Sequence, residues 1–523
     1  MLRGIHEELT GGSVDHPGPA FDPLTLDRRT RDRLWGLLAE AAEGFADNVG
    51  ELAAGALVDA SDVRKALAAF DFDDPVAPTD AFTLALDALR TLQPQVGHPR
   101  HFGMFDPAPT TMGIIADALA ALFNPCLATW DGSPFGVETE RHLVASFAGK
   151  FGYPQDVADG IITSGGSEAN LTAALLALVE RFPEYPELGL RGLPGQPVIY
   201  FATGAHPSVP KAARLVGLGD SAAREVPVTE TGRMDGELLD RLIQADRDAG
   251  LIPLLVSATA GTTGEGVIDP IGVIAEVATR HGVWLHVDAA WGGAAALLPE
   301  LRSAFADMEQ ADSITFDPHK WMSVPMNCGM LLTRHGPLLG RAFDVTAPFV
   351  AAQEGSAPDP FARSIRWSRG FAGLKLLLSL AVAGWSGYEE TLRRQVALGN
   401  VLRARLRAAG WSVTNDTPLP VVCFTDERRG ADEERRFLSL VAGAVNRTGE
   451  AKLFVAKVRG RHALRACLTN HATRAGDVDR LVDLLESARQ QVLAGDADLQ
   501  APVSAGDCTD GACSTGFSFA WDR

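Results

Sequence analysis

From about residue 159 the chain alternates short apolar runs with amphipathic stretches, and that alternation sets its organisation. GIIT at 160–163 leads into a helix expected from near Ser167, and VIYFAT at 198–203 is followed by one around 210–216. LIPLLVSAT at 251–259 precedes a helix over 272–281, after which come VWLHVDAA, SITFD and GMLLTR. Apolar strands separated by amphipathic helices predict a sheet buried on both faces and largely parallel. Upstream, the chain reads as polar linker with amphipathic helices over 30–57 and 81–92. Downstream, the Gly/Pro/Ser-containing stretch 351–363 reads as a mobile loop, and a helical region runs from Ser368 to about Arg407. Strands such as VVCF and LRACLT, mixed with helices as far as about Leu493, suit a smaller second domain. Periodicity is lost beyond Gly495, and there is no internal repeat or low-complexity tract.

Composition narrows the class. A chain of 523 residues is too long for one compact core, so two or three domains are expected. Hydrophobic residues at 46% are enough for a large buried core. The net charge of −19 argues against nucleic-acid backbones and anionic membranes as partners, since both call for basic patches. Residues 1–15 mix Arg, His and Glu with no apolar run, unlike a secretory signal. The longest apolar stretch, 376–385, falls well short of the ~20 residues a membrane span needs. Six cysteines scattered over this length do not make a disulfide framework, and Cys126, Cys328, Cys423 and Cys467 sit in apolar surroundings. Cys508 and Cys513, in CTDGAC, lack the partners of a zinc site, and no metal is expected. A soluble cytoplasmic protein follows.

The chemistry concentrates at strand ends. Asp288 closes HVD, and Lys320 follows SITFDPH. A lone lysine is ordinarily a solvated surface residue, and a lone Asp after a strand is usually a turn or a cap. Here the two occur in order, each closing an apolar strand, and the small residues Ala289, Ala290, Gly292 and Gly293 follow the first. Pyridoxal phosphate needs this pair: an amine to form a Schiff base, and a carboxylate that keeps the pyridine nitrogen protonated. TSGGSEAN at 163–170 joins a strand to a helix, where free backbone N–H groups and glycines admit a phosphate. A plain cap at Ser164 or Ser167 is the rival, and the spacing matches neither GxGxxG nor a nucleotide P-loop. His206, after VIYFAT, offers an imidazole to stack on a flat ring, and Thr259 offers a hydroxyl. Their plainer readings are a loop histidine and strand filler. All these groups fall at the carboxyl ends of parallel strands, where open α/β sheets place ligands.

The strings GHPRHFGMF, TSGGSEAN, AHPSV, SATAGTT, HVDAAWGG, DPHKW and LRACLTNH occur in order along most of the chain. In them the sequence resembles the group II pyridoxal-phosphate-dependent amino-acid decarboxylases, the group that includes aromatic-L-amino-acid and glutamate decarboxylases. The resemblance implies an α/β fold of the aspartate-aminotransferase-like type I, with a mostly parallel sheet in a large domain and a smaller C-terminal α+β domain. It implies a homodimer with active sites at the subunit interface. The domain map it implies has an N-terminal helical segment at that interface (1–100), a large cofactor-binding domain (101–350) and a mobile loop (351–367). A helical connection with the small domain (368–494) and a disordered tail (495–523) complete it. Lys320 is then the residue that carries the cofactor, and Asp288 pairs with its ring nitrogen. Ala290 packs under the ring and His206 stacks above it. Gly166 and Ser167 hold the phosphate with His319 beside it, and Thr259 lies near the cofactor's hydroxyl.

Two departures bear on function. The aromatic branch of the group carries a mobile-loop tyrosine that protonates Cα. Aligning Asp359, Ile365 and Ser368 with that loop puts Pro360 or Phe361 at its place, and no tyrosine occurs between Tyr200 and Tyr388. In relatives where Phe replaces this Tyr, the carbanion can meet O2 and yield an aldehyde. The segment HFGMFDP is expected to border the substrate side chain, with Met104 where glutamate decarboxylases carry Gln and aromatic ones Tyr. Met104 and Phe105 make that wall apolar, while Asp106 is placed to attract a cation or repel an acidic substrate. The expected reaction is decarboxylation of a neutral aliphatic or aromatic L-amino acid to a primary amine and CO2. The alternatives are an O2-dependent decarboxylation–deamination to an aldehyde, a basic diamino or acidic substrate, and a catalytically silent cofactor-binding regulatory protein.

Overall fold

The structure, a computed structural model, describes residues 24–55, 58–68, 70–154, 156–345, 358–427 and 431–495. The chain divides into two compact units, Met1–Val49 with Val58–Gln93, and Gly50–Leu57 with Pro94–Arg523. In the first, helices Arg28–Asn48, Ala60–Leu67 and Pro78–Thr91 start where local chemistry dictates. Asp27 and Asp59 accept from backbone N–H groups of the first turn, and Pro78 opens the third helix. The first helix stops at Asn48 and is followed by a 3-10 turn, Val49–Glu51, so it is shorter than the expected 30–57.

The second unit carries two sheets. The larger has strands β1 (Asp159–Thr163), β2 (Pro197–Ala202), β3 (Ala223–Val226), β4 (Ile252–Thr259), β5 (Trp284–Asp288), β6 (Ser313–Phe316) and β7 (Gly329–Thr333), in the order β1-β7-β6-β5-β4-β2-β3. From β3 to β6 every neighbouring pair is parallel, as the apolar runs predict. β7 is antiparallel to both β1 and β6. Residues 317–328, which join β6 to β7, contain no helix, and a parallel return requires a long crossover.

Register then positions the chemistry. Thr259 lies opposite Asp288, and Asp288 opposite Thr315, so three adjacent strands end side by side. Helix Gly166–Arg181 follows β1 and packs across β4 to β7, its buried Ala169, Ala173 and Ala177 permitting close approach to the sheet. Helix Ile271–His281 ends at Gly282, whose φ of 61° places it in the left-handed cap conformation.

The smaller sheet is antiparallel, with β8 (Ser412–Val413), β9 (Val421–Thr425), β10 (Phe454–Val458) and β11 (Arg461–Cys467) in the order β10-β11-β9-β8. Helices Ala431–Arg447 and Ala475–Ala494 pack with it around a core that includes Leu402, Leu406, Phe424, Leu438, Val441, Leu481 and Leu485. Phe102 belongs to this core. Its N–H donates to Lys452 O (3.0 Å), and Cys467 N–H donates to Phe102 O (2.8 Å).

The helical region expected from Ser368 begins at Gly373 and runs to Ala408, broken at Gly384 (φ 64°, ψ 171°). Arg369 lies outside it, its guanidinium donating to Glu140 (2.6 Å) and Ile162 O (2.9 Å). Cys126 is exposed, contrary to expectation, while Cys328, Cys423 and Cys467 are buried. Most of the expected mobile loop (346–357) and the C-terminal stretch from 496, with Cys508 and Cys513, lie outside the described residues. Among the described residues no helix is long and apolar enough to cross a membrane.

Candidate active site

A cavity of about 360 Å³ opens at the carboxyl ends of β4, β5 and β6. Gly166, Ser167, His206, Thr259, Asp288, Ala290, His319 and Lys320, all singled out from the sequence, line it together. Asn170, Ser208, Thr263, Trp291, Asp317 and Asn327 line it as well. Met104, Phe105 and Asp106 do not. Phe105 stacks on Trp291, with ring centroids 4.2 Å apart, so Trp291 presents itself to the cavity and Phe105 lies behind it. Arg465 anchors that layer, donating to Gly103 O (2.8 Å) and Thr263 O (2.9 Å). Asp106 is largely buried, its Oδ1 has no partner, and burial raises its pKa.

The glycine turn is braced from several sides. Helix Gly166–Arg181 has no side-chain cap at Gly165. Gly166 N–H donates to Asp317 Oδ2 (3.0 Å), and Ser164 donates to Glu168 Oε2 through its N–H (2.8 Å) and its hydroxyl (2.6 Å). Arg366 holds Glu168 (3.1 Å) and donates to Ile162 O (3.2 Å). A Cβ on Gly165 would come within 3.2 Å of the His319 ring, and one on Gly166 within 3.0 Å of Asp317 and 3.3 Å of Ala290. The backbone therefore reaches the cavity wall where a side chain has no room.

Lys320 Nζ lies 2.9 Å from Asp317 Oδ2. Asp288 accepts from Asn170 Nδ2 (2.9 Å) and from the N–H of Ala290 (3.1 Å). Asn170 also donates to Ser208 Oγ (2.8 Å), which lies 2.7 Å from His206 Nδ1. Thr259 Oγ1 is buried without a partner, while its N–H donates to Asp269 (2.8 Å). Burial pushes the His206 pKa down, with Asp288 opposing and Lys320 reinforcing the shift. His319 is pushed down in the same way, chiefly by burial, with Asp317 opposing. Its Nδ1 lies 2.7 Å from Cys328 O. His286, wholly inside, is pushed down to about 4 by burial. These imidazoles are therefore favoured in the neutral form near pH 7.

Asn170, Ser208 and Asp317 stand inside the strings TSGGSEAN, AHPSV and DPHKW, but nothing in those strings assigns them partners. Thr315 and His286 complete the same network from inside β6 and β5.

A mostly parallel sheet whose strand ends gather one lysine amine, a buried carboxylate, an uncapped helix N-terminus and stackable small and imidazole side chains defines a fold-type I pyridoxal-phosphate enzyme. Residues 65–426 match the family model of the pyridoxal-dependent decarboxylase conserved domain, and the chain belongs to that family. It is similar to human cysteine sulfinic acid decarboxylase, 31% identical over 420 residues, spanning 76% of this chain and 83% of that protein. It is similar to tryptophan decarboxylase 1 of Oryza sativa subsp. japonica, 31% identical over 395 residues, spanning 70% and 76%. In structure it resembles the Oryza sativa TDC crystallised with PLP and tryptamine, with a TM-score of 0.84, 25% identity, and 90% of this chain and all of that one covered. The protein is thus a pyridoxal-phosphate-dependent amino-acid carboxy-lyase. The cavity fits the cofactor on its own terms. It holds an amine, a carboxylate, a glycine turn that only backbone can occupy, and an orphaned hydroxyl at Thr259.

Proposed function

We propose that the enzyme decarboxylates a neutral aliphatic or aromatic L-amino acid and releases the primary amine. The carrying observation is the make-up of the cavity. Among the described residues Lys320 is the one Lys or Arg side chain lining it, the Trp291–Phe105 stack supplies an apolar wall, and Arg465 donates to main-chain carbonyls. Among the described residues lining it, an acidic side chain would find no cation besides Lys320, which the cofactor would take. When bound, pyridoxal phosphate supplies the electrophilic carbon that takes the substrate amine and a ring that accepts the electron pair left by CO2.

Lys320 holds the cofactor through Nζ in this reading. Each Asp288 oxygen uses one lone pair on Asn170 or Ala290, and a remaining one would be free to hold a proton at the ring nitrogen. Ser167 and the turn at Gly166, whose N–H also donates to Asp317 Oδ2, would hold the phosphate, with His319 beside it. Ala290 and His206 would hold the cofactor ring between them, and the unpartnered Thr259 Oγ1 would be available to its hydroxyl.

The proton that replaces CO2 has no tyrosine source. The chain has four tyrosines, and none lines the cavity. Tyr153, Tyr185 and Tyr200 donate to Ala311 O, Val216 O and Asp246, and Tyr388 is buried in the core. Phe361 stacks on Trp367, with centroids 4.3 Å apart. Lys320, a histidine or water must deliver the proton. The same observation favours a second reading, in which O2 intercepts the electron-rich Cα to give aldehyde, ammonia and peroxide.

A second copy of this chain is the proposed partner. Helix Thr111–Phe123 leaves Ile114, Ile115, Leu119, Leu122 and Phe123 exposed on one side, an apolar face that a dimer would cover. Sedimentation at a single monomer mass would remove this part.

The central test is CO2 release from a panel of labelled amino acids, with products analysed under air and under argon. Amine in equal yield in both atmospheres, with neutral substrates preferred, is the expected result. Aldehyde and peroxide that vanish under argon would establish the oxidative reading, and no CO2 from any substrate would leave a silent cofactor-binding protein. Borohydride reduction and peptide mapping should label Lys320.

A further inference from the structure

Asn170 is buried one turn into helix Gly166–Arg181, and its carboxamide is saturated. An amide offers two donors and two acceptor lone pairs. Nδ2 donates to Asp288 Oδ2 (2.9 Å) and Ser208 Oγ (2.8 Å), while Oδ1 lies 3.0 Å from His286 Nε2 and accepts from Thr315 Oγ1 (2.7 Å). The polarity of this set admits one solution. A carboxylate only accepts, so the NH2 end faces Asp288 and the oxygen faces His286, whose Nε2 must carry a proton. His286 Nδ1 then accepts from Ser313 Oγ (2.8 Å), which takes the indole N–H of Trp284 (2.9 Å). On the other side, Ser208 Oγ receives Asn170's proton and directs its own to His206 Nδ1 (2.7 Å), which also accepts from Ser208 N–H (3.2 Å). His206 Nδ1 is thus an acceptor twice over.

We propose that Asn170 is a positioning residue that fixes, through one carboxamide, both the orientation of Asp288 and the tautomer of His206, whose ring proton sits on Nε2. Asp288, Lys320, Asp317 and Lys211 are the charged groups that face His206. A neutral imidazole held this way donates a hydrogen bond from Nε2 and has no second proton to release, so the Cα proton falls to Lys320, His319 or water. The inference rests on the assignment of Asp288 and His206 to the cofactor, and wild-type cofactor uptake with Lys320 labelling checks that assignment separately.

Asn170→Asp is the decisive variant, because it is isosteric yet sets a second carboxylate against Asp288 and removes both donors. The expected result is cofactor affinity weaker than wild type by on the order of tenfold or more, and weaker than in Asn170→Ala, with kcat reduced more than KM is raised. A residue that only fills space would give the opposite order, with Asn170→Asp close to wild type. Ser208→Ala keeps the Asn170–Asp288 bond and tests the other branch. Nitrogen NMR of histidine-labelled holoenzyme should show His206 protonated on Nε2 in wild type, and in Ser208→Ala an Nδ1 resonance shifted towards that of an unbonded imidazole nitrogen, because only the backbone N–H of residue 208 remains to donate to it. The proposal is overturned by a wild-type proton on Nδ1, by a Ser208→Ala spectrum identical to wild type, or by Asn170→Asp binding cofactor as wild type does.

Discussion

Replacing Gly329 by alanine places a single methyl group against the glycine turn that lines the cavity. Gly329 begins β7 and pairs with Thr163, the last residue of β1. A Cβ there would lie 2.5 Å from Gly165 Cα, 2.6 Å from Thr163 Oγ1 and 2.7 Å from Asp317 Oδ1. Carbon contacts settle at roughly 3.5–4.0 Å, so the two backbones must separate by about 1 Å. Two of the three contacts are backbone or a tightly held carboxylate, and none is the free end of a flexible chain. Overpacking of this kind costs about 1–3 kcal/mol of stability. The larger effect should fall on the cofactor, because the displaced atoms carry the glycine turn and the Asp317 that meets Lys320. A misplacement of about 1 Å can cost on the order of a hundredfold where geometry is tight. Titration of apoenzyme with pyridoxal phosphate, followed by absorbance and alongside melting temperature, separates the two effects. Gly149→Ala, on an exposed helix position with nothing within 4 Å, is the control and should gain up to about 1 kcal/mol. Wild-type affinity and melting in Gly329→Ala would refute the steric account.

Thr259→Val should act with opposite signs on the two states. It removes a buried hydroxyl that has no partner, raising apoenzyme stability by about 1 kcal/mol or more, and it weakens cofactor binding, so apo and holo melting temperatures should converge. His101 and His286, both pushed down to about 4 chiefly by burial, should show ring signals that stay put from pH 8 to about pH 5. Their folded values lie below the ordinary 6.5, so each adds stability above that pH, on the order of 3 kcal/mol, which is lost as pH falls from 6.5 towards 4. Titration of either ring near 6.5 would contradict the burial.

The parts of the site that could be read from the chain are those whose meaning is local. Asp288 and Lys320 stand out because each closes an apolar strand within its own segment, and TSGGSEAN because a strand-to-helix junction is visible in a few residues. Asn170 lies inside that same string, but its partners Asp288, His286 and Thr315 are more than a hundred positions away, and only sheet register brings them together. The place of Met104 and Phe105 in HFGMFDP points to a substrate wall. The chain order does not show that Trp291 stands between Phe105 and the cavity. The direction of β7 was equally hidden, since GMLLT is apolar whichever way it runs. The break at Gly384 has a residue-level cause, because Gly accepts positive φ without strain, but glycine inside a helical pattern does not by itself announce a break.

The antiparallel placement of β7 also orders assembly in time. Among the described residues β1 is an edge strand whose sole neighbour in the sheet is β7, made long after it on a growing chain. Every other strand of the large sheet lies between them in sequence. Until β7 emerges, β1 and the glycine turn behind it have no sheet to join, and loop closure over that span is slow. The glycine turn at 164–166 is therefore among the last parts of the sheet to be completed. Cofactor capture should accordingly mark a late event in biogenesis, and arrested chains that end before β7 should fail to take up pyridoxal phosphate.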